Sequence, residues 1–177
     1  MVRLRPDDPP APSLALVAAA ALEETTGQLV DAAKLRLKWP NDLLLGAAKV
    51  SGILLERADD AVVIGVGVNL AHHPALSDRA TTSLAEHGAA VTPADFAERL
   101  AGMFAAWLFL WRRDGLAPVI ARWTERAHPP GTRLAATLPD GEVVDGTFVR
   151  LAADGALVLG LADGVERVIH AGDVFAL

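Results

Sequence analysis

The strongest constraint on the fold is a series of short strand-like segments separated by residues that favour tight turns. From Lys34 to Trp39 the apolar residues recur at every second position, which predicts a half-buried β-strand. Further strands are predicted at residues 43–45, 50–56 and 61–67, with Pro-Asn-Asp and glycine turns between them. This arrangement indicates an antiparallel sheet.

A second set of strands is predicted after the breaker cluster His128–Gly131. Short apolar runs alternate there with Asp-Gly pairs at Asp140–Gly141, Asp154–Gly155 and Asp163–Gly164. Asp-Gly pairs are typical of hairpin turns, because glycine adopts a positive φ without steric cost. We therefore predict two domains, residues 1–128 and residues 129–177, and interpret the second as a small β-barrel of hairpins.

Three helices are predicted from apolar residues at helical spacing. The first covers residues 14–27 and the third about residues 118–126. The second is predicted at residues 93–114, because Thr92 fits an N-cap and a proline and an acidic residue follow it in the first turn. Residues 71–91 are predicted to be a loop with at most a short helix. Together with the strands, the helices predict an α+β fold.

Composition excludes several classes of function. The 16 basic and 22 acidic side chains give a formal net charge of -6 and are mixed along the chain, so we expect no nucleic-acid partner. The absence of cysteine excludes disulfides and thiolate chemistry, and the histidines lack the spacing of a zinc site. The apolar runs are shorter than the roughly 20 residues that span a bilayer. We therefore expect a cytoplasmic protein without a membrane segment.

Three motifs in fixed order carry a resemblance to a known family. They are Lys-Trp-Pro-Asn-Asp at residues 38–42, Lys-Val-Ser-Gly-Ile-Leu-Leu-Glu at residues 49–56 and Gly-Val-Gly-Val-Asn at residues 65–69. In order, spacing and residue type the chain resembles the biotin-protein ligases, and Gly115–Pro118 and Arg122–Trp123 extend the likeness. The C-terminal β-module is similar to the SH3-like domain of that family. The resemblance implies a partial biotin-ligase/lipoate-ligase-like catalytic domain, mainly an antiparallel sheet with helices, followed by a small SH3-like β-barrel.

The resemblance also implies a ligase that uses ATP, biotin and Mg²⁺. In that family biotin and ATP give biotinyl-5′-AMP and pyrophosphate, and the biotin then passes to a lysine of a biotin carboxyl carrier domain of acyl-CoA carboxylases. The biotin carboxylate and the α-phosphate are both anions and repel each other. A lysine between them stabilises the charge that develops on the phosphate. The predicted catalytic residue is Lys49.

The expected cofactor-binding residues lie in the same three motifs: Lys38, Asn41, Asp42, Gly52, Ile53, Gly65, Gly67 and Asn69. The amides of Asn41 and Asn69 can both donate to and accept from a nucleotide. Gly65 and Gly67 carry no side chain that would block a flat ligand, so we expect their strand to form the floor of the biotin pocket. Asp42 either fixes the turn or helps to hold Mg²⁺.

Each motif also has a plain structural interpretation. Pro-Asn-Asp is common turn chemistry, a lone lysine near a hairpin is usually solvated, and Gly-Val-Gly is usually a bulged strand. The match of three ordered motifs favours the ligase over these interpretations. Trp107 and Trp111 are predicted to be core residues, and Arg122–Trp123 is predicted to pack between a helix and the β-module.

The family's Gly/Arg-rich loop, which closes over biotin and the adenylate, has no counterpart in this sequence. Because Arg3–Pro6 resembles the end of the strand after that loop, we expect the chain to begin partway into the catalytic domain. The loss of a lid that excludes water should lower rate and affinity. An exposed sheet edge would favour pairing with a second copy.

Two alternatives to the biotin-protein ligase stay open. One is a non-catalytic remnant of the family that binds ATP or the carrier domain without making adenylate. The other is a lipoate ligase-like enzyme, because the related fold shares an Asn-Asp turn followed by a lysine and a glycine. The tryptophan in Lys38–Pro40 and the C-terminal β-module favour biotin over lipoate.

Overall fold

The first of two antiparallel sheets contains the predicted strands of the N-terminal part. The computed structural model describes residues 1–77 and 79–177. The strands are β1 (Val2–Arg3), β2 (Leu35–Lys38), β3 (Asp42–Leu45), β4 (Ala48–Ala58) and β5 (Ala61–Val68), in the spatial order β1-β5-β4-β3-β2. The two residues of β1 pair only with Val62 and Ala61 at one end of β5. The strands predicted from the alternating pattern are confirmed.

Three helices, α1 (Leu14–Gly27), α2 (Pro93–Asp114) and α3 (Ala117–Arg126), pack together beside this sheet. Helix α1 is buried along almost its whole length, because its run of alanines lets neighbouring elements approach closely. The Thr92 hydroxyl accepts a hydrogen bond from the Asp95 amide, and α2 ends where Gly115 adopts φ +78°. The predicted helices are confirmed, as is a short 3₁₀ turn at Ala85–His87 in the loop.

Two buried tryptophans of α2 connect it to α1. The Trp111 indole donates to the Ser13 hydroxyl at 2.8 Å, and the Trp107 indole donates to the Glu24 carboxylate at 3.1 Å. Both residues were predicted to lie in the core, and both are buried. No helix among the described residues is both long and apolar enough to cross a membrane.

An ionic cluster joins α1 to α3. Glu23 is 1% exposed and pairs with Arg122 at 2.6 Å and with Arg126 at 3.2 Å. Burial raises the pKa of Glu23, whereas the two arginines act in the opposite direction. The neighbouring Trp123 is buried and meets the ring of Phe148 edge-on, at 6.5 Å between centroids. Trp123 therefore packs between helix and β-module as predicted, while Arg122 belongs to the ionic cluster.

The second sheet contains β6 (Arg133–Thr137), β7 (Val143–Leu151), β8 (Leu157–Gly160), β9 (Glu166–Ile169) and β10 (Asp173–Ala176), in the order β10-β6-β7-β8-β9. At each Asp-Gly pair the glycine has φ between +84° and +89°. Each aspartate accepts a hydrogen bond at 3.0 Å from the amide two residues later. The hairpins are confirmed, and closure into an SH3-like barrel and the domain boundary near residue 129 stay predictions.

The two sheets meet around Trp39. Its indole donates to the Gly155 carbonyl at 3.1 Å in a buried position, and Leu37 forms an isolated parallel bridge with Ala127. The hydrophobic cores of the two sheets are continuous. This packing brings the end of β10 close to the charged residues at the end of β2.

Candidate functional site

Lys49 lies at an irregular point of the first sheet. The register between β3 and β4 shifts so that Leu43 faces Ser51 and Leu44 faces Lys49, which leaves Val50 without a partner on β3. A β-bulge of this kind changes the direction of the side chains beside it. The Lys49 amide donates to the Ala80 carbonyl at 2.9 Å instead of to a strand neighbour. The bulge and the loop after β5 therefore both define the position of Lys49.

A chain of alternating charges begins at the Lys49 ammonium group. It forms an ion pair with Asp42, whose other carboxylate oxygen lies 3.2 Å from the ammonium nitrogen of Lys38. Lys38 in turn contacts Asp173 of the second sheet at 3.1 Å. Asp42 is 4% exposed, so its charge is compensated by the two lysines rather than by water. Asp42 thus orients both lysines of the predicted site.

Three glycines and Leu54 form a surface beside Lys49. We call it the glycine shelf (Gly52, Leu54, Gly65 and Gly67). Gly52 lies opposite Gly67, and Leu54 lies opposite Gly65, so all four residues share one face of the sheet. A Cβ atom at Gly67 would meet nothing within 4 Å, and Leu54 is 61% exposed. The shelf therefore leaves open space over the sheet at Gly67, and its use as the floor of a biotin pocket stays a prediction.

Gly52 has a more specific role in the geometry of Lys49. A Cβ atom at this position would lie 3.1 Å from the ammonium nitrogen of Lys49 and 3.2 Å from its Cε. Such distances are shorter than ordinary van der Waals contacts, so a side chain at Gly52 would displace the ammonium group. The glycine keeps the lysine at the rim of the shelf.

The two asparagines hold the loops around the site. The Asn41 amide donates to the Ile53 carbonyl at 2.7 Å, and the Asn69 amide donates to the Thr82 carbonyl at 2.9 Å. The Ile53 side chain is buried on the inner face of the sheet, opposite Val66, and only its backbone takes part in this arrangement. Nucleotide or biotin binding by the predicted site residues stays a prediction, although Lys38, Asp42, Lys49 and Gly52 lie together.

A cationic cleft of about 510 Å³ opens between the two sheets. Its charged wall includes Arg36, Lys38, Lys49 and Arg79, and the ring of Phe175 lies 5.0 Å from the Lys38 ammonium nitrogen. His128 also lines the cleft; burial lowers its pKa, and the charges of Arg36 and Lys38 lower it further. A cleft with this charge can attract an anion such as a phosphate.

Sequence reasoning did not identify the cleft residues Arg79, His128 and Phe175, nor Asp173, which pairs with the cleft residue Lys38. They lie outside the three motifs and join the site only through tertiary packing; Asp173, for example, is 135 positions from Lys38. Arg36 could have been found, because it shares the polar face of β2 with Lys38. Among the described residues no group of three or more histidine, cysteine, aspartate or glutamate side chains could hold a metal ion.

Two family models match the chain. The Biotin/lipoate A/B protein ligase family matches residues 10–69, and the Biotin protein ligase C terminal domain matches residues 133–177. The biotin–acetyl-CoA-carboxylase ligase of Paracoccus denitrificans is 39% identical, over 93% of this chain and 73% of the relative. The corresponding ligase of Mycobacterium tuberculosis is 35% identical, over 93% of this chain and 62% of the relative.

Solved structures with the same fold include two ligase complexes. The biotin protein ligase of Aquifex aeolicus with biotin and ATP has a TM-score of 0.79 at 19% identity, and the match covers 94% of this chain and 72% of that protein. The enzyme of Leishmania major with biotinyl-5-AMP has a TM-score of 0.60 at 25% identity, over 95% of this chain and 74% of that protein. The similarity to the Aquifex protein is one of fold alone.

Proposed function

The chain belongs to the biotin-protein ligase family, and on that basis we propose that it activates biotin with ATP and transfers the biotin to a lysine of a biotin carboxyl carrier domain. The observation that carries this proposal is the position of Lys49. Its ammonium group is held by Asp42 at the rim of the glycine shelf and faces the cationic cleft. A flat ligand on the shelf and a polyanion in the cleft would therefore meet at Lys49.

The first step joins two anions. An oxygen of the biotin carboxylate attacks the α-phosphorus of ATP, a new carbon–oxygen–phosphorus link forms, and pyrophosphate leaves. The Lys49 ammonium reduces the repulsion between carboxylate and phosphate and stabilises the negative charge of the transition state. Asp42 preorganises this ammonium group, so that little reorganisation is needed during the reaction.

The second step transfers the acyl group. The neutral amine of the acceptor lysine attacks the carbonyl carbon of biotinyl-5′-AMP, an amide bond forms, AMP leaves with the electron pair of the broken carbon–oxygen bond, and the attacking nitrogen releases one proton to water. We assign the cationic cleft to the nucleotide, where Arg36 and Lys38 would contact phosphates. We assign the shelf glycines Gly65 and Gly67 to the bicyclic ring of biotin, with Asn41 and Asn69 at the adenylate.

Mg²⁺ is part of the proposal only as the counter-ion of ATP. This hard cation usually binds through substrate phosphates with one or two carboxylates. Both oxygens of Asp42 are occupied by Lys38 and Lys49, so Asp42 does not fit a magnesium ligand in this arrangement. The reaction consumes ATP, and we place it in the cytoplasm.

We also propose that the free edge of β5 pairs with a second copy of the chain. Beyond its two contacts with β1, β5 has no other strand on that side among the described residues. Ile64 and Val66 of this strand line an apolar groove with Phe104 of α2. Unpaired backbone groups beside apolar surface favour strand pairing.

The oligomeric state of the chain tests this pairing. Sedimentation equilibrium should show a dimer, and Val63→Lys should weaken it. A monomer at every protein concentration would refute the pairing.

The test of the enzymatic function follows the mass of an acceptor domain. The purified chain is incubated with biotin, ATP, Mg²⁺ and a biotin carboxyl carrier domain, and Lys49→Ala and Lys34→Ala are tested in parallel. We expect a gain of one biotin, a rate lower by about 100-fold or more in Lys49→Ala, and no change in Lys34→Ala, because Lys34 is an exposed lysine outside the cleft.

Three other outcomes would lead to different conclusions. ATP binding by a folded sample without pyrophosphate release would identify a binding module and refute the ligase. Inhibition of the transfer by free lipoate, together with lipoylation of an acceptor, would favour a lipoate ligase. An unchanged rate in Lys49→Ala would remove Lys49 from the mechanism.

A further inference from the structure

The segment after β5 pairs directly with the backbone of Lys49. The Lys49 amide donates to the Ala80 carbonyl at 2.9 Å, and the Thr82 amide donates to the Lys49 carbonyl at 3.0 Å. The Thr82 carbonyl also accepts from the Asn69 side chain. Both hydrogen-bonding groups of the Lys49 backbone therefore depend on where residues 80–82 lie.

A network of side chains fixes this segment, and we call it the His73 network (His73, Thr81, Thr82 and Glu86). The Nδ1 of His73 lies 2.8 Å from the Thr81 hydroxyl, and its Nε2 lies 3.0 Å from the Glu86 carboxylate. The other oxygen of Glu86 accepts from the Thr82 hydroxyl at 2.7 Å. The imidazole thus contacts Thr81, which forms the bridge with Lys49, and reaches Thr82 through Glu86.

The Glu86 carboxylate is the acceptor that connects His73 with Thr82 in this network. The Thr81 hydroxyl donates to the Pro74 carbonyl and lies within hydrogen-bond distance of Nδ1 of His73. The Glu86 carboxylate accepts from Nε2. Hydrogen bonds from Thr82 and then from His73 lower the pKa of Glu86, which keeps the carboxylate ionised.

We propose that His73 is a positioning residue for Lys49: its bonds to Thr81 and Glu86 hold the segment that pairs with the Lys49 backbone. The proposal rests on the proposed function, because that function gives Lys49 its role. His73 contacts neither the glycine shelf nor the cationic cleft, so it acts through the loop. Lys49 would keep its bulged position only while the His73 network is intact.

The test uses the fact that the chain has only three lysines, Lys34, Lys38 and Lys49. Each is labelled by an amine reagent in the full chain and quantified by mass spectrometry, with Lys34 as internal reference. His73→Ala is compared with His72→Ala, which removes the exposed neighbouring histidine. Glu86→Gln serves as a second variant, because it keeps the size of the side chain and removes its charge.

We expect His73→Ala to increase the labelling of Lys49 severalfold relative to Lys34, and to accelerate hydrogen exchange at the Lys49 and Thr82 amides. The turnover number of biotin transfer should fall about tenfold, because a displaced catalytic group loses reactive geometry. Glu86→Gln should change the same quantities in the same direction, and His72→Ala should change none of them.

The positioning role and the enzymatic function can fail separately. Unchanged labelling and exchange in both His73→Ala and Glu86→Gln would overturn the positioning role. The positioning role would also be overturned if the labelling of Lys49 changed in these variants but their turnover number for biotin transfer did not. If the unmodified chain forms no biotinyl-adenylate, the proposed function fails, and labelling and exchange still decide whether His73 positions Lys49.

Discussion

Strand glycines have different neighbours in the two sheets. In the first sheet, Gly52 faces the ammonium end of Lys49 and Gly67 faces open space. In the second sheet, Gly146 faces the backbone, and a Cβ atom there would lie 2.9 Å from the Gly160 carbonyl oxygen. Glycine therefore leaves room for the Lys49 side chain in the first sheet and for the backbone of a neighbouring strand in the second. We infer that the strand glycines make room for the lysine of the candidate site in the first sheet and for close strand packing in the second.

The largest effect is expected for Gly52→Ala. Its methyl group would push the Lys49 ammonium away from the rim of the shelf, and a flexible lysine can yield at little cost in stability. The rate of biotin transfer should fall by about 100-fold, or roughly 2.7 kcal/mol of activation free energy. The melting temperature should hardly change. Initial-rate kinetics and calorimetry on the same sample would measure both.

Gly67→Ala is the matched control, because its methyl group would touch no protein atom within 4 Å. If the shelf binds biotin, this variant should raise the KM for biotin and leave Lys49 labelling unchanged. Equal loss of stability in Gly52→Ala and Gly67→Ala, without loss of rate, would show that these glycines serve only the strand.

The second prediction is that Gly146→Ala lowers stability and not the activity per folded molecule. A backbone carbonyl cannot move aside as a lysine can, so the contact at 2.9 Å should cost about 2 kcal/mol. This corresponds to a lower melting temperature by roughly 6 °C. Urea unfolding should give the same free energy. A variant as stable as the parent would show that β7 and β8 separate easily.

Local sequence rules account for most of the fold. The period-two pattern of Leu35–Lys38 and the Asp-Gly pairs identified the strands and hairpins, because side-chain alternation and positive φ are properties of neighbouring residues. The N-cap at Thr92 and the end of α2 at Gly115 were predicted for the same reason. Local pattern could not predict the bulge at Val50, since the bulge depends on how β3 and β4 align.

The site was predictable only in part. Lys38, Asp42 and Lys49 come from neighbouring strands, and the motifs identified them before the structure showed their ion pairs. Asp173 and Phe175 reach the cleft because the second sheet folds back on β2, which no local spacing encodes. The Asn69 amide holds the loop through the Thr82 carbonyl, and its contact with a nucleotide stays a prediction.

The third prediction concerns the contact between the sheets. Trp39→Phe removes the indole N–H that donates to the Gly155 carbonyl at 3.1 Å, and leaves that buried carbonyl without this partner. We expect a loss of about 1.5 kcal/mol in unfolding free energy. The rate of biotin transfer should also fall slightly, because Lys38 adjoins Trp39 and contacts Asp173 across the interface. An unchanged stability would mean that packing alone holds the sheets together.

The smallest effects are expected at the hairpin turns of the second sheet. Gly141 and Gly164 have φ values of +87° and +84°, and an added Cβ atom would meet nothing within 4 Å at either position. Alanine there is disfavoured only by the left-handed backbone conformation, so Gly141→Ala and Gly164→Ala should each lower the unfolding free energy by about 1 kcal/mol. Denaturant titration would measure the two losses, and equal values are expected. A lower biotin-transfer rate per folded molecule in either variant would mean that changes in the second sheet displace Lys49 through Asp173 and Lys38. The two sheets would then both contribute to the rate.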